Sequence, residues 1–304
     1  MPIFRSSLNI PPIQSALSNA RLSSYQSLIG VATAAPAIGA YVWGLELNAA
    51  LSPVLSMVEV VLRNRLHAAA SAQFAKSDWY QDVLKHHGDL LWHNKIAVNP
   101  SITNDYYRKG AAPHDKKSIW NGTVKKPLKH WRSPAEGKLE EILQRLAKSG
   151  KPRTPDHIVA HAMFGFWLML LAPNFESPTD PLALWPGCAA QTFPSDAAMT
   201  RGAAFSILER VKNLRNRISH HEPAWRMAAV LTPAGVHTTL SHRVQEMREL
   251  LDAMSPDITR LLDHNGIFER LRWLLDPQTI AAFSDQRGVQ LSRSLPPHSP
   301  PQSP

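Results

Sequence analysis

The sequence contains very little cysteine, since Cys188 is the single one among 304 residues. One thiol can form neither an internal disulfide bond nor the thiolate cluster of a structural zinc site. The N-terminal sequence MPIFRSSLNIPP has too short an apolar stretch to act as a secretory signal. These absences predict a cytoplasmic protein without a cysteine-based metal centre.

Long uninterrupted apolar stretches are also missing. The segment from Leu22 to Leu45 carries no charge, but serine, glycine, glutamine and proline residues interrupt it. A helix that crosses a bilayer needs about 20 consecutive, mostly apolar residues. We therefore expect a helix, a loop and the start of a second helix in this segment, and no contact with a membrane.

Patterns typical of β-strands, such as paired alternating stretches and hairpin turns, are not found either. Apolar residues instead recur every three or four positions, which is the spacing of one buried helical face. They are Leu47, Leu51, Val54, Val58, Leu62 and Leu66. Because Pro53 follows Ser52 inside this stretch, the helix either begins anew there or bends. The fold class predicted from these patterns is all-α.

Capping residues and periodicity predict further helices. A Thr or Ser followed by proline and aspartate, the pattern of a helix start, occurs at 154–156 and 255–257. The stretch HIVAHAMFGFWLMLLA, which follows the first of these, is nearly all apolar, so we expect one helix that is buried on most sides. The other expected helices lie at 135–148, 182–185, 197–219 and 241–254.

A single domain is expected over residues 1–277, followed by a tail at 278–304. From about residue 292 the tail is mostly proline and serine. Such a composition has too little apolar surface to pack, so this end is predicted to be disordered.

Positive charge dominates the chain. Lys and Arg total 33 against 24 Asp and Glu, which gives a formal net charge of +9. This balance favours a polyanionic partner such as nucleic acid, although basicity can also serve solubility alone. A nucleic acid is thereby favoured over an acidic macromolecule of similar size.

The most basic segment lies in an excursion at about 100–132. Eight Lys or Arg occur against one Asp between residues 108 and 132, with two tryptophan residues among them and two tyrosine residues directly before, at 106 and 107. This mixture attracts phosphates and stacks on unpaired bases, so it predicts an RNA-binding loop that includes Lys116, Lys117, Lys125 and Lys126. A solvated insertion whose aromatic residues pack on the core is the alternative.

A second concentration of charge is the motif NLRNRISHHEP, which ends at Pro223. Asn216 and His220 are four residues apart and Arg217 is three before His220, so these side chains share one face of a helix. Arg215 is five before His220 and reaches the same place only through its long side chain. Because proline disfavours helical geometry at the residue before it, the helix is expected to end with His220 in its last turn.

Such side chains suit the cleavage of RNA without a metal ion. Imidazole titrates near neutrality and transfers protons, and guanidinium binds two phosphate oxygens and stabilises charge that develops on phosphorus. An asparagine amide can orient the phosphate or the imidazole. The alternative is that Lys212, Arg215 and Arg217 only decorate the end of a helix, where cations are favoured.

Other polar clusters have plainer interpretations. Glu59 and Arg63 are four apart, which favours an ion pair within one helix. The alternative is that both residues assist the Arg215 motif. His86, His87 and His93 match no zinc-ligand spacing and are interpreted as surface histidines. The aromatic stretch at 164–167 is interpreted as core, with Gly165 admitting a close neighbour.

The motif resembles the signature of the Abi-like (abortive infection) proteins of the HEPN superfamily, in which an Arg and a polar residue precede a His four to six positions further on. Arg215, Asn216 and His220 match it, and His221-Glu222-Pro223 continues it in the Abi-like form. Similar segments are LSNARLSSY, YVWGLELNAALSPVLSMVEVVLRNRLH, SDWY, HIVAHAMFGFWLMLL and MSPDI, so the resemblance extends to about Pro277. The basic excursion is longer than the family pattern.

The resemblance implies a HEPN-like helical bundle with additional helices, a homodimer with facing motifs, and a metal-independent endoribonuclease that forms cyclic phosphate ends. Arg215, Asn216 and His220 would be catalytic, and Arg217 and His221 auxiliary. We expect a phage-defence toxin that needs no cofactor, acts on RNA, and is controlled by an antitoxin or a phage-derived trigger. The alternatives are a catalytically inactive RNA- or protein-binding module and, with less support, a DNA-binding regulator.

Overall fold

The structure, a computed structural model, describes residues 9–87 and 134–285 together with the backbone of two short strands between them. Its described residues are mostly helical, which confirms the predicted all-α class. Strands β1 (Ile119–Trp120) and β2 (Pro127–Leu128) pair antiparallel, so the expectation that no strands pair is wrong for this short ribbon. The predicted roles of Lys116, Lys117, Lys125 and Lys126, and the predicted disordered tail, fall on residues outside the described ones.

The described residues form thirteen α-helices, which are named in chain order. The first are α1 (Ile10–Leu17), α2 (Asn19–Ile29), α3 (Ala34–Gln73) and α4 (residues 80–87). After β2 come α5 (Pro134–Lys148), α6 (Pro155–His161), α7 (Phe164–Met169) and α8 (Ala189–Thr192). The last are α9 (Arg201–Ser219), α10 (Pro233–Met254), α11 (Pro256–His264), α12 (Ile267–Leu275) and α13 (Pro277–Ser284). Short 3-10 turns lie at Pro173–Phe175 and Ala224–Met227.

The chain divides into two compact units. The first unit comprises residues 1–59 and 209–304, and the second comprises residues 60–208. The two boundaries fall inside α3 and α9. The single domain expected over residues 1–277 stays a prediction.

Helix α3 supplies core residues along its whole length. The predicted stripe is buried completely, at 0 % exposure for every member. Each such Leu or Val side chain contributes about 1.5–3 kcal/mol through removal from water. Pro53 lies inside the helix and does not end it. The packing of this apolar face thus outweighs the hydrogen bond that proline cannot donate.

Among the described residues, α3 is the one helix with the length and hydropathy of a membrane span. The most apolar window of 18 residues has a mean hydropathy of 1.5, and 44 % of it is buried inside the structure. A helix in the core of a globular protein has the same composition, because it too is covered by apolar neighbours on most sides.

Within the first unit, the N-terminal part of α3 packs closely on the C-terminal helices. The indole Nε1 of Trp43 donates a hydrogen bond to the carbonyl of Leu274, at 2.7 Å. A Cβ atom at Gly39 would overlap with the carbonyl of Phe283, so only glycine permits this approach of α3 to α13. These contacts fix the scaffold against which the end of α9 is placed.

The stretch predicted as one buried helix after residue 157 is two helices, so that prediction is wrong. Met163 has extended backbone geometry and separates α6 from α7. Arg63 and Arg145 donate to the carbonyls of Ala160 and His161 at 3.4 and 3.5 Å, and these bonds satisfy acceptors at the end of α6. The aromatic residues at 164, 166 and 167 are buried as expected, but nothing lies within 4 Å of a Cβ built at Gly165.

Three helix limits differ from the sequence-based expectation. Residues 182–185 are not helical; Trp185 instead forms a β-bridge with Glu176, and the short helix lies further on, in α8. Helix α9 begins at Arg201, four residues late. Helix α10 begins eight residues early, at Pro233, because Thr232 caps it by accepting a bond from the Gly235 N–H at 3.1 Å.

Candidate functional site

The candidate site is built on the C-terminal end of α9, which closes with a Schellman motif. The Glu222 N–H donates to the Arg217 carbonyl at 2.8 Å, and the His221 N–H donates to the Ile218 carbonyl at 3.0 Å. His221 has a φ of 56°, the left-handed conformation that this cap requires. The helix therefore ends at Ser219, and His220 lies in the cap itself rather than in the last helical turn.

Side chains from α3 and α9 hold the cap in place. The amide of Asn48 donates from Nδ2 to the Glu222 carbonyl at 3.4 Å and accepts from the Ala224 N–H, through Oδ1, at 3.3 Å. Arg217 donates from Nε to the Pro223 carbonyl at 3.4 Å, and its Nη2 lies 3.1 Å from the Glu222 carboxylate. The chain after α9 is thereby tied to α3 in the same unit.

The three residues expected to be catalytic reach solvent from this helix end. Asn216 and His220 are exposed, and their side chains have no hydrogen-bond partner among the described residues. Arg215 is partly exposed, and its Nη2 lies 3.8 Å from the carboxylate of Glu59. The side chains are therefore accessible to a ligand, and Glu59 is placed to orient one of them.

Glu59 and Arg63 do not form the expected ion pair within α3. The carboxylate of Glu59 is beside Arg215, whereas the guanidinium of Arg63 donates to a carbonyl at the end of α6 in the second unit. Both residues lie on α3, but each contacts a residue of another helix instead of pairing with the other. The contact with Arg215 supports an auxiliary role for Glu59, whereas the auxiliary role of Arg63 stays a prediction.

Beside the cap, the first unit contains a cleft of about 680 Å³. Five residues of the sequence motif line it, among them Arg217 and His221, whereas Arg215, Asn216 and His220 do not. Arg21 from α2 and Arg226 from the turn after the cap add two further guanidinium groups. The remaining lining residues are Ser18, Ala20, Ser24, Tyr25, Tyr41, Leu45, Asn48, Ala49, Ser52, Ile218, Glu222 and Pro223.

Two aromatic residues of the lining, Tyr25 and Tyr41, belong to a cluster with the buried Trp225. Tyr25 is 2 % exposed and meets Tyr41 and Trp225 edge-on, with ring centroids 5.4 and 5.1 Å apart. Burial raises the pKa of Tyr25 to about 12, while Trp225 and Arg21 act in the opposite direction, so its phenol is neutral at physiological pH. A Cβ at Gly44 would lie 2.5 Å from the Tyr25 hydroxyl oxygen, so glycine is needed where the phenol meets α3.

The histidines of α4 are structural rather than superficial, which corrects the expectation for His87. His87 is 2 % exposed, packs against Phe175, and bonds through Nε2 to the Leu182 carbonyl at 3.0 Å. His86 bonds to the Asp180 carboxylate at 2.7 Å. His93 lies outside the described residues. Within the described part of the chain, no group of three or more His, Cys, Asp and Glu side chains could hold a metal ion.

Sequence reasoning did not identify the cleft. Arg217 and His221 were singled out as part of the motif, but Arg21, Asn48 and Arg226 were not. Asn48 is 174 residues away in sequence from Glu222, its acceptor. The signal that could have pointed to it is a polar residue one position after the buried Leu47 on the long apolar helix.

Compared with protein-family models, curated proteins and solved structures, the chain has no significant match in any of the three. The resemblance to the Abi-like proteins therefore stays a prediction from the sequence.

Proposed function

We propose that the protein is a metal-independent endoribonuclease with a HEPN-like helical bundle, acting as a homodimer in the cytoplasm. The observation that carries the proposal is the accessible end of α9. It presents an imidazole, an amide and a guanidinium from His220, Asn216 and Arg215, with the Glu59 carboxylate beside the last of them. The biological role inferred is that of a phage-defence toxin, restrained by an antitoxin or released by a phage-derived trigger.

These groups match the requirements of internal transfer in RNA. An imidazole takes the proton from a ribose 2′-hydroxyl, whose oxygen attacks the adjacent phosphorus. The bond from phosphorus to the 5′-oxygen then breaks, and a second acid protonates that oxygen. The products are a 2′,3′-cyclic phosphate and a 5′-hydroxyl end. Arg215 would stabilise the charge on the phosphorane, because guanidinium stays charged and binds two oxygens.

A dimer would supply the missing partner in this scheme. Both imidazoles at the cap of α9 are exposed, but His221 lines the cleft, so the proposal assigns only His220 of each motif to proton transfer. Two motifs that face each other would place a base and an acid on opposite sides of one phosphodiester. The exposure of His220 and Asn216 leaves this helix end free for such an approach.

A catalytically inactive module that binds RNA or a protein is the second candidate. It is favoured by the absence, among the described residues, of any hydrogen bond that orients the His220 ring or the Asn216 amide. Catalytic bases are commonly oriented by a third group, and here that group has to come from elsewhere.

The decisive experiment incubates purified protein with labelled single-stranded RNA in excess chelator. We expect cleavage with cyclic phosphate ends, and its loss in both His220→Ala and Arg215→Ala. The same RNA with 2′-deoxyribose throughout should bind but stay intact, because the attacking hydroxyl is missing.

Arg272→Ala is the matched control for Arg215→Ala. Arg272 is an exposed arginine of the same unit without an ion pair among the described residues, so its loss changes net charge equally. Cleavage that persists in both site variants would refute the assignment of the site. Salt-dependent binding without any cleavage would favour the inactive module.

A further inference from the structure

We propose that the cleft beside the α9 cap binds one nucleotide of a single-stranded RNA, with its phosphate on Arg21, Arg217 and Arg226 and its base against Tyr41 and Leu45. The identity of the ligand rests on the proposed function. The physical case for an anionic ligand with a flat apolar part stands on the cleft itself.

The charge of the cleft calls for an anion. Three guanidinium groups line it against one carboxylate, that of Glu222. Arg217 is already paired with Glu222, but the side chains of Arg21 and Arg226 have neither an ion pair nor a hydrogen bond among the described residues. Both are exposed at the rim. Guanidinium forks bind phosphate oxygens in pairs, and a phosphate would occupy donors that are now unpaired.

Part of the lining is apolar and suits a base. Leu45 has 51 % of its surface exposed although it lies on the helix that forms the core. It lines the cleft with Ala49, which is exposed, and with Tyr41, which is half-buried. Aromatic side chains bind bases by stacking without reading their sequence, at about 1–3 kcal/mol per base. A ligand that is only a phosphate would leave this part of the lining uncovered.

The size and position of the cleft fit one nucleotide next to the motif. Its volume of about 680 Å³ lies in the range of roughly 300–1,000 Å³ that small-ligand sites occupy. His221 lines the cleft and directly follows His220 in the chain, so a nucleotide in the cleft would lie next to the exposed imidazole. The cleft would thereby position the strand, and its arginines are positioning residues rather than catalytic ones.

The test measures the Kd of a labelled single-stranded RNA in the His220→Ala background, where no cleavage interferes. Removing both rim arginines, by Arg21→Ala with Arg226→Ala, should raise the Kd at least about tenfold and reduce its salt dependence. Arg272→Ala should change the Kd less than about twofold.

A second variant fills the cleft without changing charge. Ala49→Trp should raise the Kd to a similar degree, whereas Ala281→Trp, a matched change at an exposed position of α13, should not. Circular dichroism checks that all variants remain helical. In the cleaving protein, the same substitutions should raise KM and leave kcat nearly unchanged.

The outcomes separate this inference from the proposed function. If the wild type never cleaves RNA but Ala49→Trp and the arginine variant weaken binding, the cleft stands and the nuclease does not. If RNA is cleaved while neither variant changes Kd or KM, the cleft is refuted and the nuclease stands. Displacement of the RNA by adenosine 5′-monophosphate at millimolar concentration supports the nucleotide site. Tighter binding of the free nucleotide than of RNA refutes the proposal that the ligand is a single-stranded RNA.

Discussion

The cap of α9 contains a residue whose backbone conformation conflicts with its type. His221 occupies the left-handed region, with a φ of 56°, at the position where helices that end in a Schellman motif usually have glycine. Replacing it by glycine removes the clash between Cβ and the backbone while keeping both closing hydrogen bonds. We therefore expect His221→Gly to be at least as stable as the wild type.

The magnitude follows from two opposing effects. An L-residue in the left-handed region costs roughly 1–2 kcal/mol, which glycine does not incur. Glycine loses more conformational freedom on folding, by about 0.5–1 kcal/mol. The imidazole of His221 is exposed and has no hydrogen-bond partner among the described residues, so little is lost with it. The net expectation is a gain of about 0–1.5 kcal/mol in the free energy of unfolding.

Urea unfolding followed by circular dichroism measures this difference. Ser219→Gly is the matched control, because Ser219 is exposed in the last helical position of α9, where glycine should cost about 0.5 kcal/mol. His221→Val should be less stable than the wild type, since a β-branched residue fits the left-handed region poorly. If His221→Gly loses more than about 1 kcal/mol, the imidazole holds the cap and the reasoning from backbone strain is wrong.

Three further predictions concern the packing, the titration and the motif. Gly44→Ala should lower the free energy of unfolding by about 1–3 kcal/mol, because the new Cβ overlaps with the buried Tyr25 hydroxyl. Adding Tyr25→Phe should restore part of the lost stability, and a Gly44→Ala variant as stable as the wild type would contradict the overlap. Burial lowers the pKa of His87 below its ordinary 6.5, so the unfolded chain binds a proton more readily and stability falls as pH drops below about 6.5. His87→Gln should reduce the slope of the free energy of unfolding against pH by up to about 1.4 kcal/mol per pH unit. An unchanged slope would count against burial as the cause. Glu59→Gln should change the free energy of unfolding by less than about 1 kcal/mol, since its pair with Arg215 is partly exposed. The same variant should cleave RNA several-fold more slowly, and a rate equal to that of the wild type would mean that Glu59 does not position Arg215.

The sequence could predict elements whose signals are local. Thr154 accepts a bond from the His157 N–H, and a helix begins at the following proline, as the capping pattern indicates. The helical class and the buried stripe of α3 follow from apolar periodicity in the same way. The break at Met163 was missed because its cause is distant: arginines from α3 and α5 satisfy the carbonyls that a continuous helix would have used.

The cleft could not be predicted for the same physical reason. Its parts come from α2, α3, the α9 cap and the turn after it, which meet only when the chain has folded. Neither Gly44 nor Tyr25 stands out in the sequence, and the contact between them appears only in three dimensions. The early start of α10 was not predicted because Thr232-Pro233 lacks the aspartate that marked the other two helix starts.

The geometry of α9 separates two roles that the sequence motif places side by side. Successive residues of a helix point about 100° apart, so Arg215 and Arg217, two positions apart, point to nearly opposite sides of α9. One is beside Glu59 and the other lines the cleft. Since one phosphate cannot bind both, a strand held by Arg217 would place a different phosphate near Arg215 and His220. Substitutions at Arg215 should therefore act on kcat, and those at Arg217 on KM, with effects that add.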